Sequence, residues 1–482
     1  MFIGGFCGDW TTLQSQKDNA IMRLWQFTIA SIGLTTCIIM LCSPAPEGWP
    51  PQALNALGLV FLAVGLWSTE ILPLHLTSFI IFFIALIFSI APPFIVFSGF
   101  HSGAVWLVFA GIVIGVAVER TGIGANIAEG VVKWFGHSYT GLVFGMGIAG
   151  FGSAFLMPSA MGRVVILAPV VAKIAEQLGY ETNSRARSGL ILTFCFCTVF
   201  PAMSILPATV PNVVLAGASE NIHGITLHYT DFMNLHFTVA GLGSFIVILI
   251  LNLLMFRNKQ PQLKQTFMAE TSIKMTPEGI RLLIILLLTL GFWLTDKVHG
   301  IAPAWIGLGA SILCLMPFLK LVKASSLVQG ANYSPWFFVA GIIGLGAIVA
   351  HTGLAEILAA ALIEVVGFET KTDLFKFSAL TVIGGILSFA LNPAGVPAVL
   401  APMANSIALA TGWPLETVLM SQINSFFIII VPYQAAPIFA GVILTKVPIK
   451  YCAQLGVIFS AIYIFFIMPI NYFWWHKLDM FS

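Results

Sequence analysis

The sequence predicts an all-α polytopic membrane protein of about eleven transmembrane helices, with two re-entrant hairpins set in an inverted repeat. Hydrophobic residues make up 59% of the 482 positions and charged residues only 8%, with mean hydropathy +0.98. That leaves too little polar surface to clothe a water-soluble globule. Apolar segments recur at the length a hydrocarbon core demands. The chain also says nearly the same thing twice. VWLVFAGIVIG at 105–115 is answered by WFFVAGIIGLG at 336–346, and each copy continues through a Thr-Gly step, Thr121-Gly122 and Thr352-Gly353. LMPSAMGRVVILAP at 156–169 is answered by LNPAGVPAVLAP at 391–402, and PATVPNVVLAG at 207–217 by PYQAAPIFAG at 432–441. In a hydrophobic chain, helix breakers at matching places in two halves point to a transport site between the repeats.

Taken in order, spans are expected near 24–42, 54–72, 77–97, 104–118, 190–217, 237–256, 280–296, 302–319, 335–350, 417–444 and 452–473. Two further apolar stretches, 141–172 and 376–410, break in the middle at MPSAMGR and NPAGVP and are read as hairpins. Loop charges support this. With the N-terminus cytoplasmic, 16 of the 21 Lys and Arg fall inside: Lys17, Arg23, Arg120, Lys133, Lys173, Arg185, Arg187, Arg257, Lys259, Lys264, Lys274, Arg281, Lys320, Lys323, Lys446 and Lys450. Lys297, Lys371, Lys376 and Lys477 fall outside, and Arg163 alone lies within a membrane segment. The first hairpin then enters from the cytoplasm and the second from outside, so the repeats are inverted, as alternating access requires.

The expected organisation is 1–98 as N-terminal scaffold helices, 99–256 as the first repeat, 257–279 as a cytoplasmic linker, 280–329 as further scaffold helices and 330–482 as the second repeat. The first apolar segment is too long for a cleavable signal and is expected to stay as a helix in a plasma or inner membrane. Seven cysteines, mostly in apolar spans, suggest packing rather than a disulfide framework or a metal site. A net charge of +2 gives no bias toward nucleic acid.

An unpaired peptide group in hydrocarbon costs several kcal/mol, so broken backbone persists at membrane depth only where protein, water or a ligand satisfies it. Pro201, Pro207 and Pro211 interrupt 190–217, and Pro432 and Pro437 interrupt 417–444. The freed carbonyls can hold a cation, while the N-terminal ends of the half-helices offer amides and partial positive charge to an anion.

Two stretches bring a family into view. Thr69-Glu70-Ile71-Leu72-Pro73-Leu74-His75-Leu76-Thr77 resembles the TEALPLPVT stretch of the divalent anion/sodium symporters of the ion-transporter superfamily, and Ala208-Thr209-Val210-Pro211-Asn212 resembles their GTPPN loop. The two Pro-bearing hairpins fall where that family's substrate-site hairpins fall. The resemblance implies an inverted-repeat fold, a homodimer of scaffold and transport domains, elevator-like movement, and sodium-coupled uptake of carboxylates or sulfate, with no other cofactor. Members that carry dicarboxylates usually show Ser-Asn-Thr at each hairpin tip. Here the tips align as Ser159-Ala160-Met161 and Asn392-Pro393-Ala394, and most of that side-chain polarity is gone.

The first tip gains Arg163 instead. A guanidinium near the midplane costs roughly 2.5 kcal/mol or more on insertion scales and usually faces a cavity or pathway with a partner. Either it binds the substrate's anionic group through its planar fork, or its fixed charge stands in for a sodium ion. The plain alternative is that it snorkels to the cytoplasmic face. The remaining substrate candidates are Ser159, Thr209, Asn212, Asn392, Gly395 and Gln434. Ser153, Ser159, Thr209 and Ser388 are the candidate ion ligands, though each alone could serve a helix–helix hydrogen bond.

The partners expected are a small anionic solute, sodium, the bilayer and a second copy of the chain. A cation/proton antiporter of the same superfamily would need a carboxylate deep in the bundle, and no Asp or Glu lies near the centre of any expected span. A channel is suggested only by Asn392-Pro393-Ala394, which the first hairpin does not repeat. An enzyme would need a nucleophile and base or a metal cluster at membrane depth, and no such constellation is visible.

Overall fold

A computed structural model of the chain describes residues 6–256 and 275–482. Most of the expected linker, 257–274, lies outside the described residues, and Arg257, Lys259, Lys264 and Lys274 with it.

Among the described residues the regular elements are all helices, and nine are long and apolar enough to cross a membrane. Shorter apolar helices, Ala53–Thr69, Leu74–Ile87, Pro303–Leu315 and Ala436–Thr445, complete the set. Two expected spans end early, each for a local reason. The stretch 77–97 stops at Ile87 because Ser89 takes a left-handed φ of 51° and Pro92-Pro93 cannot continue the helix. The stretch 302–319 stops at Leu315, just before Pro317. Two others are longer than expected. Tyr229–Phe256 and Ile449–Lys477 each run as one apolar helix through a π turn, at Phe237–Gly241 and Tyr463–Ile467.

Both interrupted stretches turn back on themselves. Helices Tyr139–Leu156 and Ala160–Gln177, each roughly 27 Å long at 1.5 Å per residue, meet at Met157-Pro158-Ser159. Their far ends also meet: the Tyr139 and Tyr180 rings lie 6.1 Å apart, and the Tyr139 hydroxyl donates to Ala186 O at 3.3 Å. In the second stretch the break is a single residue. Asn392, at φ 54° and ψ 167°, kinks Asp373–Leu400 and lets Pro393 open the returning arm, which ends with Ala404–Thr411. Lys376 Nζ donates to Thr411 O at 2.7 Å and Trp413 Nε1 to Asp373 Oδ1 at 2.8 Å, tying the arms together at their base.

The order of elements recurs as the sequence suggested. Gly103–Thr121, the first bent pair, Arg185–Val199, Val210–His223 and Tyr229–Phe256 are followed in the second half by Ser334–His351, the second bent pair, Leu415–Ser425, Ala436–Thr445 and Ile449–Lys477. The two series pack crosswise. Gly103–Thr121 lies against Pro303–Leu315, and Ser334–His351 against Leu74–Ile87. Ala160–Gln177 lies against Ala436–Thr445, and Asp373–Leu400 against Val210–His223. Within each half the bent pair also hugs the helix that follows it. A Cβ on Gly150 would sit 2.7 Å from Phe194 O, and one on Gly384 would sit 2.5 Å from the Ser425 side chain, so only glycine allows those approaches.

Candidate functional site

Where Met157 ends the first arm, Ser159 starts the second: its hydroxyl accepts from Gly162 N at 3.1 Å, an N-cap bond. One turn on, Arg163 is fully buried. Its Nη1 donates to Met157 O and its Nη2 to Thr198 O at 2.8 Å. Those carbonyls belong to the C-terminal ends of Tyr139–Leu156 and Arg185–Val199. Each helix end carries partial negative charge, roughly half an elementary charge. The guanidinium is thus answered by two helix dipoles, and no carboxylate lies within 4.0 Å of it among the described residues. Ser153 joins this group from the first arm, with its hydroxyl donating to Gly150 O at 2.6 Å and lying 3.4 Å from Thr198 Oγ1.

After Val199 the backbone passes through short 3-10 turns at Pro201–Ser204 and Leu206–Ala208 before Val210–His223 begins. Asn212 braces this stretch. Its Nδ2 donates to Met203 O at 3.1 Å and Ile205 O at 3.0 Å, satisfying carbonyls that the broken helix leaves free. Its Oδ1 and the Thr209 hydroxyl are buried without a hydrogen-bond partner among the described residues. Buried polar atoms of that kind are left for water or a ligand.

The second half builds a similar knot from different side chains. Leu415–Ser425 gives way to an irregular segment ending in the turn Pro432–Gln434. Gln434 folds back on it: Oε1 accepts from Ile430 N at 2.8 Å and Val431 N at 3.0 Å. Two N–H donors on that oxygen fix which way the amide faces. Nε2 therefore approaches Ser388 Oγ at 3.3 Å and Ile428 O at 3.5 Å. Asn392 caps the returning arm, its Oδ1 accepting from Ala394 N at 3.0 Å. Gly395 sits elsewhere, facing a small apolar space lined by Trp67, Phe338, Ile342 and Leu391.

Of the candidates, Ser153, Ser159 and Arg163 therefore share one knot and Ser388 and Gln434 another, with Thr209 and Asn212 in the first unwound loop. No hydrogen bond among the described residues joins the two halves' candidates to each other. The sequence did not single out Thr198, whose only signal is a hydroxyl residue three places before a breaking proline. Nor did it single out Glu220, whose carboxylate accepts from Ser102 Oγ at 3.1 Å and Gly103 N at 2.9 Å and so ties Val210–His223 to the start of Gly103–Thr121.

Residues 23–481 match the family described as the sodium:sulfate symporter transmembrane region. The chain belongs to that family. Its relatives include a chloroplastic dicarboxylate transporter 2.2 of Arabidopsis thaliana, 24% identical over 67% of this chain and 60% of that one. The sodium-dependent dicarboxylate transporter SdcS of Staphylococcus saprophyticus is 21% identical over 71% of each. Among solved structures, the YdaH transporter of Alcanivorax borkumensis has the same overall fold at TM-score 0.53, with 14% identity over 95% of this chain and 98% of that chain. This family member is accordingly a multi-pass membrane transporter and not an enzyme.

Proposed function

We propose that the protein moves a small dianion or other oxyanion, a carboxylate or sulfate, between two hairpin tips and two unwound loops. The observation that carries this is Arg163. Helix dipoles stabilise its guanidinium locally but have no net charge, so one fixed positive charge remains for a mobile anion to neutralise. N-terminal amides of the half-helices beginning at Ala160, Val210, Pro393 and Ala436, with the Thr209 hydroxyl and Asn212 Oδ1, supply the contacts. The crosswise packing of the halves supports an inverted repeat in which the bent pairs and broken helices move as one body past the remaining helices.

The family name brings sodium with it, and its role here is narrower. In the first half both Nη groups are committed to carbonyls freed at a helix break, the oxygens that would otherwise hold a cation. Arg163 thus stands in for an ion at that place and draws the anion from behind the tip. Purified protein in proteoliposomes, offered labelled mono-, di- and tricarboxylates and sulfate, tests the assignment. Saturable uptake of one of these anions is expected, and movement of neutral or cationic solutes alone would reject it. Arg163→Gln should lose anion uptake in sodium-free buffer and regain it, with the same anion preference, once sodium supplies the missing charge. Loss of anion binding in that variant even with sodium present, with folding intact, would return Arg163 to direct contact with substrate.

A further inference from the structure

We infer that Glu220 is a latch favouring the state closed on the outer side, and that the second repeat has no counterpart to it. The inference rests on the moving body proposed above, whichever anion that body carries. Val210–His223 belongs to the moving body, and Gly103–Thr121 and Ser334–His351 are among the helices it passes. With the N-terminus cytoplasmic, Arg185 begins the broken helix on the inner side and His223 ends it on the outer side. Val210–His223 packs against both of the fixed helices. A Cβ on Gly217 would sit 2.3 Å from Ile343 Cδ1 and 2.8 Å from Ala104 Cβ, an approach that only glycine allows. Side-chain bonds then fasten the end of this seal. Glu220 Oε2 accepts from Gly103 N at 2.9 Å and Ser102 Oγ at 3.1 Å, and Asn221 Nδ2 donates to Ser98 Oγ at 2.8 Å. Ser102 caps Gly103–Thr121, so the carboxylate also meets the positive end of that helix. Hydrogen bonds to an ionised acceptor are roughly twice as strong as neutral ones. All three bonds cross from moving to fixed elements, so sliding breaks them.

An inverted repeat reaches its opposite state by exchanging the roles of its halves. Aligning the Ala-Gly steps Ala216-Gly217 and Ala440-Gly441 puts Leu444 in the place of Glu220 and Thr445 in that of Asn221. Ala436–Thr445 packs on Ala160–Gln177 and Arg185–Val199, which move with it, and Leu444 is 51% exposed. The seal in this structure is thus made by the first half. When the roles exchange, a leucine, which accepts no hydrogen bond, arrives where the carboxylate had been. The carboxylate's bonds are lost without replacement, and the two states differ in free energy by that loss. Their populations follow, with the outer-closed state favoured.

Thiol labelling tests this without any substrate, so the anion assignment stands or falls separately. Ile343→Cys places a smaller side chain at the buried seal, facing Gly217. Val164→Cys serves as a control, buried between Ala160–Gln177 and Ala436–Thr445, which move together. A membrane-impermeant maleimide is applied to right-side-out and to inverted membrane vesicles, and labelling of the chain without the introduced thiol is subtracted. Glu220→Gln keeps the length of the side chain and an acceptor but removes the charge. It should raise the outside labelling rate at Ile343→Cys roughly tenfold, equivalent to about 1.4 kcal/mol between the two states, and leave Val164→Cys unlabelled. An unchanged rate at Ile343→Cys overturns the latch while leaving the moving body in place, as does a rise seen only from the inner side. An equal rise at Val164→Cys means general loosening and overturns it too. If Ile343→Cys is labelled in neither protein from either side, the seal never opens, and the moving body falls together with the latch.

Discussion

A buried guanidinium holds its place only if its geometry is used, and Arg163 reaches two carbonyls on different helices with one planar fork. A lysine keeps the charge but is a point donor on a thinner stem. Arg163→Lys should therefore leave one carbonyl unsatisfied and cost about 1–3 kcal/mol, read as a lower thermal midpoint in detergent, while anion selectivity persists. An unchanged midpoint would mean the fork is not what holds Met157 and Thr198 together. Asn212 is a stricter case, because its amide hydrogens alone brace Met203 O and Ile205 O. Asn212→Asp puts a carboxylate against two carbonyls and should cost more than Asn212→Ala, a ranking that denaturation of the two variants settles. The sequence made Arg163 conspicuous, since it is the one cation in a membrane segment, and made Asn212 visible through the Thr-x-Pro-Asn pattern. It could not say which atoms they meet. That depends on where the Thr198 carbonyl falls after the chain doubles back, a contact spanning 35 positions. For the same reason the sequence named Gln434 as a candidate substrate contact without showing that its amide oxygen would accept from Ile430 N and Val431 N of its own loop.

At the level of elements, the breaks were legible because proline removes a donor wherever it stands. The matched π turns were not, because nothing in FTVAG or YIFFI marks a wider turn. Nor was the single-residue form of the second break, which requires only that Asn392 tolerate a left-handed φ. The glycine-rich stretch GMGIAGFGSA at 145–154 permits close helix approach, but its composition does not say which glycine makes it. The structure separates them. Gly150 meets Phe194 O and lies 3.2 Å from Thr198 N once a Cβ is added, whereas Gly152 meets nothing within 4 Å. Gly150→Val should push the first bent pair off Arg185–Val199, costing about 1–3 kcal/mol and loosening the Arg163 bond to Thr198 on the way. Gly152→Ala should be neutral or slightly stabilising, because it removes backbone freedom from a helix without a clash. Equal losses in thermal unfolding of the two variants would show that the close approach at Gly150 carries no special weight.

For the whole molecule the decisive fact is that each half packs on the other as well as on itself. Gly103–Thr121 from the first half rests on Pro303–Leu315 from the second, and Ser334–His351 rests on Leu74–Ile87. The same exchange joins each returning hairpin arm to the far half-helix of the other repeat. Further bonds cross the same divide: Arg187 Nη1 donates to Thr445 O at 3.0 Å, and His223 Nε2 and Ala401 O lie 2.7 Å apart. The repeated words of the sequence announced two inverted halves with a site between them, but order along a chain does not reveal which helices interlock. If interlocking holds the halves together, the covalent connection is needed for neither stability nor transport. Its loss removes only the high effective concentration of one half about the other, which confinement to the same bilayer partly restores. Residues 1–256 and 275–482, expressed together as separate chains, should therefore copurify through a tag on either one and take up anions in proteoliposomes. Halves that fold and insert but fail to copurify would show that the crosswise contacts do not bind them, and the single moving body proposed for the two bent pairs and broken helices would fall with that result.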